Sequence, residues 1–349
     1  MQCPYCDFSI TTEPVKQNDQ KLAHAIAQDL EDSAALIDGR EFSSVYFGGG
    51  TPSLASAEAI AIILDAVKQN PLSKEMEITF EMNPRDVSAK KLSDLSALGI
   101  NRYSLGVQSY HDPELKGLGR NHDKASGLEA TNLLKGMNST IDLIYGTEYQ
   151  TATSFQETLE QFIDSQTNHL SLYQLTIEPN TIFYKKELKL PNEDQIEGME
   201  QLARQMLESN GYQQYEVSSW SRPGFESKHN LNYWQFGDFL GLGPGAHSKI
   251  TIGQEITRFR KIKPLNGYIA KQTIADHTII QGEELDMDLA MNLLRIKDGI
   301  LPDHLGVELP KSFLKKYQLG VEEGLLVQDK IGATARGYQY LNETIKLFF

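Results

Sequence analysis

Val45-Tyr46-Phe47-Gly48-Gly49-Gly50-Thr51-Pro52 decides the fold, because a short apolar strand runs straight into three glycines. A tight strand-to-helix turn ordinarily needs one or two. Without Cβ atoms, three let the backbone approach a ligand and offer its N–H and C=O groups, and Thr51 adds a hydroxyl. Downstream the unit repeats. Ile60, Ile63, Leu64 and Val67 recur at helical spacing. Ile78-Thr79-Phe80 is the next strand, ending at Glu81-Met82-Asn83-Pro84, and Leu92, Leu95 and Leu98 predict a helix stopped by Gly99. Tyr103-Ser104-Leu105-Gly106-Val107 is a strand ending at Gln108-Ser109, and a helix near residues 124–135 follows it. Thr140-Ile141-Asp142-Leu143-Ile144-Tyr145 is a further strand, ended by Gly146. Residues 153–156 fit a capping box before a helix that buries Phe155, Leu159, Phe162 and Ile163. Leu170-Ser171-Leu172-Tyr173-Gln174-Leu175 is another strand, and Ile196, Met199, Ala203 and Met206 mark another helix.

Strand–helix alternation of this kind implies parallel pairing and right-handed crossovers. It reads as an α/β fold, a complete or partial β/α barrel, with an open doubly wound sheet as competitor. In either architecture ligands gather at the carboxyl ends of the strands, where the polar and glycine residues fall. Beyond about Gly253 the rhythm changes. Helices at residues 285–296 and 311–318, a strand at 324–327 and a helix at 336–347 suggest a small, mainly helical, winged-helix-like module. The expected division is residues 1–250 and 251–349.

The 349 residues are 40% apolar and 23% charged, as in an ordinary globular protein. A net charge of −14 argues against nucleic acid as a partner. No apolar run is long enough to span a membrane and no signal peptide is visible, so a reducing cytoplasmic location is expected.

Cys3-Pro4-Tyr5-Cys6-Asp7-Phe8 contains both cysteines of the chain. Two thiols three positions apart can share a metal or a disulfide. Alone, the motif is like a glutaredoxin site, which needs a strand before it, whereas only Met1 and Gln2 precede it. Zinc would need two more ligands at suitable spacing. Glu81, Gln108, Arg120 and Asp142 sit at or just beyond strand ends, where together they suit a zwitterionic cofactor. Carboxylates would face an amine or ribose hydroxyls, and the guanidinium a carboxylate. His229, in Lys228-His229-Asn230-Leu231-Asn232-Tyr233-Trp234 and near Gly241-Leu242-Gly243-Pro244-Gly245-Ala246-His247, is a candidate for ligating or stacking on a flat aromatic ligand.

In family order, Cys-Pro-Tyr-Cys-Asp-Phe, Phe-Gly-Gly-Gly-Thr-Pro-Ser, Glu-Met-Asn-Pro, Ser-Leu-Gly-Val-Gln-Ser, Gly-Arg-Asn-His, Asp-Leu-Ile-Tyr-Gly and His-Asn-Leu-Asn-Tyr-Trp resemble the radical S-adenosylmethionine (SAM) proteins. More narrowly they resemble the HemW-type haem chaperones, relatives of oxygen-independent coproporphyrinogen III oxidase. The resemblance implies a partial β/α barrel with a small C-terminal domain. It also implies a [4Fe–4S] cluster on three cysteines spaced C-x3-C-x2-C, with the fourth iron open to SAM. Cys3 and Cys6 would be the second and third ligands, and Tyr5 would lie against the cofactor. Gly49, Gly50 and Thr51 would meet the methionine amine, Glu81, Gln108, Arg120 and Asp142 the rest of the cofactor, and His229 haem.

The first family cysteine would fall four positions before Cys3, so by resemblance the chain is N-terminally truncated, lacking that cysteine and the strand that carries it. Thr147-Glu148-Tyr149-Gln150 stands where the family has Leu-Pro-Gly-Gln. Phe8 stands where the oxidase branch has a further cysteine, which favours the chaperone branch. The expected function is to bind haem and deliver it to haem-requiring respiratory proteins, with a homodimer left open and no catalytic residue assigned. One alternative is an oxidase-like enzyme of porphyrin biosynthesis, and another is a cluster-free barrel that only binds a ligand or partner.

Overall fold

Glu77-Ile78-Thr79-Phe80-Glu81-Met82 and Arg102-Tyr103-Ser104-Leu105-Gly106-Val107-Gln108 alternate strictly between polar and apolar residues. A strand of that pattern has one oily face and one wet one. The computed structural model describes residues 3–6, 15–270 and 274–349, so Phe8 lies outside the described residues. In chain order the elements are α1 (Val15–Asp32), α2 (Ala34–Ile37), β1 (Phe42–Phe47), α3 (Ala57–Val67), β2 (Leu72–Met82), α4 (Ala89–Leu98), β3 (Arg102–Gln108), α5 (Asp112–Gly117), α6 (Lys124–Leu133), β4 (Ser139–Tyr145), α7 (Ala152–Ser165), β5 (His169–Gln174) and α8 (Glu193–Ser209). There follow β6 (Gln213–Glu216), β7 (Ser219–Ser221), α9 (Lys228–Trp234), β8 (His247–Ile252), β9 (Glu255–Lys261), α10 (Leu265–Ile269), β10 (Ile274–Ile280), α11 (Glu283–Leu293), α12 (Lys311–Glu322), α13 (Ala335–Gln339) and α14 (Leu341–Ile345).

The main sheet has seven strands in the order β1-β2-β3-β4-β5-β7-β6. The first five run parallel, and β7 and β6 close the row antiparallel. Its apolar face, with Phe80, Leu105, Ile141, Leu143 and Leu170, packs against Leu64, Leu95, Phe155, Leu159, Phe162 and Met199 of the helices in one buried core. The other face holds the polar partners of the alternation. This is a half-barrel, helices outside and a polar concave surface within.

A second core joins Ile256 and Ile280 to Leu289, Leu293, Phe313, Tyr317 and Phe348. Beside it lies an antiparallel sheet in the order β10-β9-β8. A buried ion pair ties this sheet to α1, since Asp29 accepts from Lys261 Nζ and from the Tyr268 hydroxyl, each at 2.6 Å.

Several expectations are corrected. The capping box of α7 is Thr151 with Ser154 rather than residues 153–156, because the reciprocal side-chain and backbone bonds close there. The expected 336–347 helix breaks at Tyr340 into α13 and α14. The expected strand at 324–327 is reduced to a single bridge between Leu326 and Ala333.

Candidate functional site

The register of the parallel strands stacks polar side chains up the concave face. Tyr46 pairs beside Thr79, Glu81 beside Ser104, Gly106 beside Asp142, and Asp142 beside Ser171. Glu81 accepts a hydrogen bond from the Tyr46 hydroxyl at 2.8 Å and another from the Gly49 N–H. Asp142 accepts from the Ser104 hydroxyl at 2.6 Å and from Ser171. Burial lifts Glu81 to about 7, with the Asp142 charge adding to it. Burial lifts Asp142 to about 6, against the pull of its serines and of Arg102 and Arg120. Two recessed carboxylates that resist ionising alone will ionise readily when a cation arrives.

The glycine loop stands above them. Gly49 and Gly50 have φ of 74° and 56°, and nothing lies within 4 Å of where a Cβ would be. Conformation, not crowding, therefore requires glycine there. Gly48 is different, since a Cβ would fall 2.7 Å from the Tyr46 ring. Thr51 follows, exposed, and opens a short turn over Pro52–Leu54. Gln108, at the irregular end of β3, holds φ 69°, a strained angle for a non-glycine residue and a common companion of binding sites.

Arg120 links this edge to the cysteine turn. Its guanidinium donates to Gly106 O at 2.8 Å and to Cys3 Sγ and the Tyr5 hydroxyl oxygen, both at 3.4 Å, while its Nε is buried with no partner. Cys6 N–H donates to Cys3 O, and Phe183 N–H to Pro4 O, so the turn docks on the loop beyond β5. The Tyr5 ring rests in an apolar patch with Leu118, Ile144 and Phe183. Gly119 makes room for it, because a Cβ there would fall 2.6 Å from Pro4 Cδ at φ +67°. Gly119→Ala is expected to lose roughly 1–2 kcal/mol through the left-handed backbone alone. It is also expected to push the turn off, so both thiols should react several-fold faster with a disulfide reagent. Unchanged thiol rates would show that the turn does not depend on this contact.

His229 lies in α9, whose first turn is anchored on the barrel floor. Glu77 accepts from the Ser227 hydroxyl at 3.2 Å and from the backbone N–H of Lys228 and His229, each at 3.1 Å. Arg102, almost fully buried, stands 3.6 Å from the same carboxylate. The His229 ring stacks on Tyr46 at 4.5 Å, and its Nδ1 lies 3.3 Å from Ser44 Oγ. Burial holds its pKa down at about 4, so the imidazole is neutral at neutral pH, the form that ligates iron. Tyr233 meets it edge-on at 5.0 Å, and Phe239 continues the aromatic row at 4.3 Å.

The structure thus gathers Cys3, Tyr5, Cys6, Gly49, Gly50, Thr51, Glu81, Gln108, Arg120 and Asp142 at one edge of the half-barrel. His229 joins them through the chain His229–Tyr46–Glu81. Sequence reasoning missed Ser44, Tyr46, Glu77 and Ser104, although period-2 alternation places all four on the concave face. The donor set suits a SAM-like zwitterion: a glycine cradle, two carboxylates, and a guanidinium with an unpartnered Nε. For an iron–sulfur cluster this chain offers two thiols, of which Cys3 lies beside that guanidinium. Among the described residues no group of three or more His, Cys, Asp or Glu is placed to hold a metal.

A half-barrel with a glycine cradle and a paired-thiol turn at its carboxyl edge defines a radical SAM protein, and the Radical SAM superfamily profile matches residues 1–162. The chain is 37% identical to the heme chaperone HemW of Haemophilus influenzae and 34% identical to that of Escherichia coli, in each case over 99% of this chain and 94% of the relative. It belongs to the HemW heme chaperone family. The fold matches the solved coproporphyrinogen III oxidase HemN of Escherichia coli with a TM-score of 0.78, at 24% identity over 100% of this chain and 87% of that one. No helix among the described residues is long and apolar enough to cross a membrane.

Proposed function

We propose that this chain binds haem through His229, holds a [4Fe–4S] cluster and SAM at the carboxyl edge of its half-barrel, and hands the haem to haem-requiring acceptor proteins. The observation that carries this reading is the seat of His229. A neutral imidazole is fixed at its backbone by Glu77, at its ring face by Tyr46 and at Nδ1 by Ser44, which leaves Nε2 as the nitrogen for iron. Ligating histidines are usually oriented through their second nitrogen in this way. Relatives of matching length are heme chaperones by name, which supports the same reading.

Cys3 and Cys6 would hold two irons, and Arg120 would offset the cluster's negative charge. Glu81 and Asp142 would face the amine and ribose hydroxyls of SAM, the Gly49-Gly50 backbone and Thr51 its methionine end, and Gln108 and Tyr5 its remaining surfaces. When bound, the cluster supplies an electron and an open iron site to SAM.

Titrating haem and following its Soret band tests the proposal. His229→Ala is expected to bind about tenfold more weakly or worse, and to lose the histidine-ligated spectrum. Equal affinity and spectrum in the two proteins would remove His229 from the proposal. Anaerobic turnover of coproporphyrinogen would replace the chaperone reading with the oxidase one.

A further inference from the structure

The three-stranded sheet turns a ridge of basic side chains, its lysine and arginines each paired with a carboxylate, toward the helix of His229. Strand alternation puts His247 and Lys249 of β8, Arg258 and Arg260 of β9, and Asp276 and Thr278 of β10 on one face, through the pairings His247–Arg260, Lys249–Arg258, Arg260–Asp276 and Arg258–Thr278. The opposite face is spoken for, since Lys261 is bound to Asp29 of α1.

The ridge meets the aromatic row that leads from His229. Lys249 Nζ lies 4.2 Å over the Phe236 ring, and Phe239 bridges to Lys249 through its backbone. Phe239 packs on Tyr233, Tyr233 on His229, and the Arg258 charge acts on the Tyr233 hydroxyl. In a chain of net charge −14 the three cations Lys249, Arg258 and Arg260 are clustered, each beside one carboxylate. His247 registers them: burial, then the Arg260 charge, hold its pKa below the usual range.

The present partners are acidic side chains. Lys249 is buried and bound to Asp238, and Arg258 pairs with Asp288 at 2.5 Å. Arg260 pairs with Asp276 at 2.6 Å, with side chains 43% and 53% exposed. An exposed pair of that kind holds weakly and is easily exchanged for another carboxylate.

We propose that Arg258 and Arg260 bind the propionate carboxylates of the haem whose iron is held by His229, with Tyr233 and Phe239 lying along the tetrapyrrole plane. The aromatic row suits a flat ring, and guanidiniums suit carboxylates through paired N–H donors. This rests on the reading that His229 ligates haem.

The test compares haem with its dimethyl ester, which keeps the ring and iron but lacks both charges, in the same detergent. The wild-type chain is expected to prefer haem by roughly tenfold or more. Arg258→Gln and Arg260→Gln should each narrow that preference several-fold. Asp276→Asn, which frees Arg260, should tighten haem binding and leave the ester unchanged, a gain that misfolding cannot mimic. Equal binding of haem and ester by the wild type, or an unchanged preference in both arginine variants, would overturn the ridge. His229→Ala reports separately, because it should remove the iron-ligand spectrum while the haem-to-ester ratio persists. A spectrum that survives in His229→Ala would sink the ligation reading alone.

Discussion

Glu77→Ala is expected to destabilise the protein by about 3–5 kcal/mol, the range for removing one partner of a buried charge pair. Glu77 is 7% exposed and Arg102 only 2%. With the carboxylate gone, Arg102 keeps contacts to Asn138, Phe225 and Thr140 but no ion-pair partner among the described residues. Two backbone N–H groups at the start of α9 lose their acceptor at the same moment. Removing an acceptor from a buried donor costs more than the hydrogen bond itself contributes. Glu77→Gln keeps the shape and one acceptor oxygen, so its loss should be smaller. Urea unfolding measures both, and Glu77→Ala with Arg102→Ala should show losses well short of additive, because each single change leaves the other charge stranded. Additive losses, or a Glu77→Ala protein within about 0.5 kcal/mol of wild type, would mean that the pair does not hold the helix. The haem spectrum should follow stability here, since the same carboxylate fixes the His229 backbone.

The elements whose partners are close in sequence were legible, and those assembled from distant strands were not. Each central strand was found within a few residues, because apolar positions bounded by Gly, Asn or Pro are local signals. The helix capped by Thr151 was found as well, although its cap was misplaced by two residues, since Thr153 with Gln156 satisfies the same pattern as Thr151 with Ser154. The apolar half of each strand left the open sheet as a competitor, and the family resemblance decided for the partial barrel that the structure shows. Glu77, Thr79 and Glu81 on β2, with Arg102 and Ser104 on β3, are the other half of the pattern. A doubly wound sheet buried on both faces would not carry them. His229 was legible from its aromatic motif, but its supports were not. Ser44 lies 185 residues away and Glu77 lies 152 away, so no local spacing could link them. The three-stranded sheet went unread for a related reason. Its middle strand, Glu255–Lys261, mixes basic and apolar residues and looks like a solvated loop until its neighbours pair with it.

Wild-type stability should carry a cost, imposed by Glu81 and Asp142, that grows as pH rises, and Glu81→Gln should remove about half of it. Both groups are acids whose folded values lie above their unfolded ones, about 7 against 4.5 for Glu81 and about 6 against 3.8 for Asp142. Between those limits the native state binds more protons than the unfolded chain, so stability falls as pH rises through the window and levels off above it. For Glu81 the window runs from about 4.5 to about 7, and the full cost is on the order of 3 kcal/mol. Neutral His229 and His122, both held down at about 4 chiefly by burial, act in the opposite sense, since their stabilisation is lost as pH falls below the ordinary histidine range. A difference between wild type and Glu81→Gln cancels that background. The two proteins should have similar urea stability at pH 4.5, and the variant should be the more stable at pH 8. A variant less stable than wild type at pH 8 would mean that Glu81 is already paired with a cation inside the folded chain. The expected sign follows from a pocket in which burial and the Asp142 charge raise Glu81, while Arg102 and Arg120 pull on Asp142. The ammonium and sulfonium charges of SAM would offset that rise, so binding at neutral pH should release protons and abolish most of the difference between the proteins.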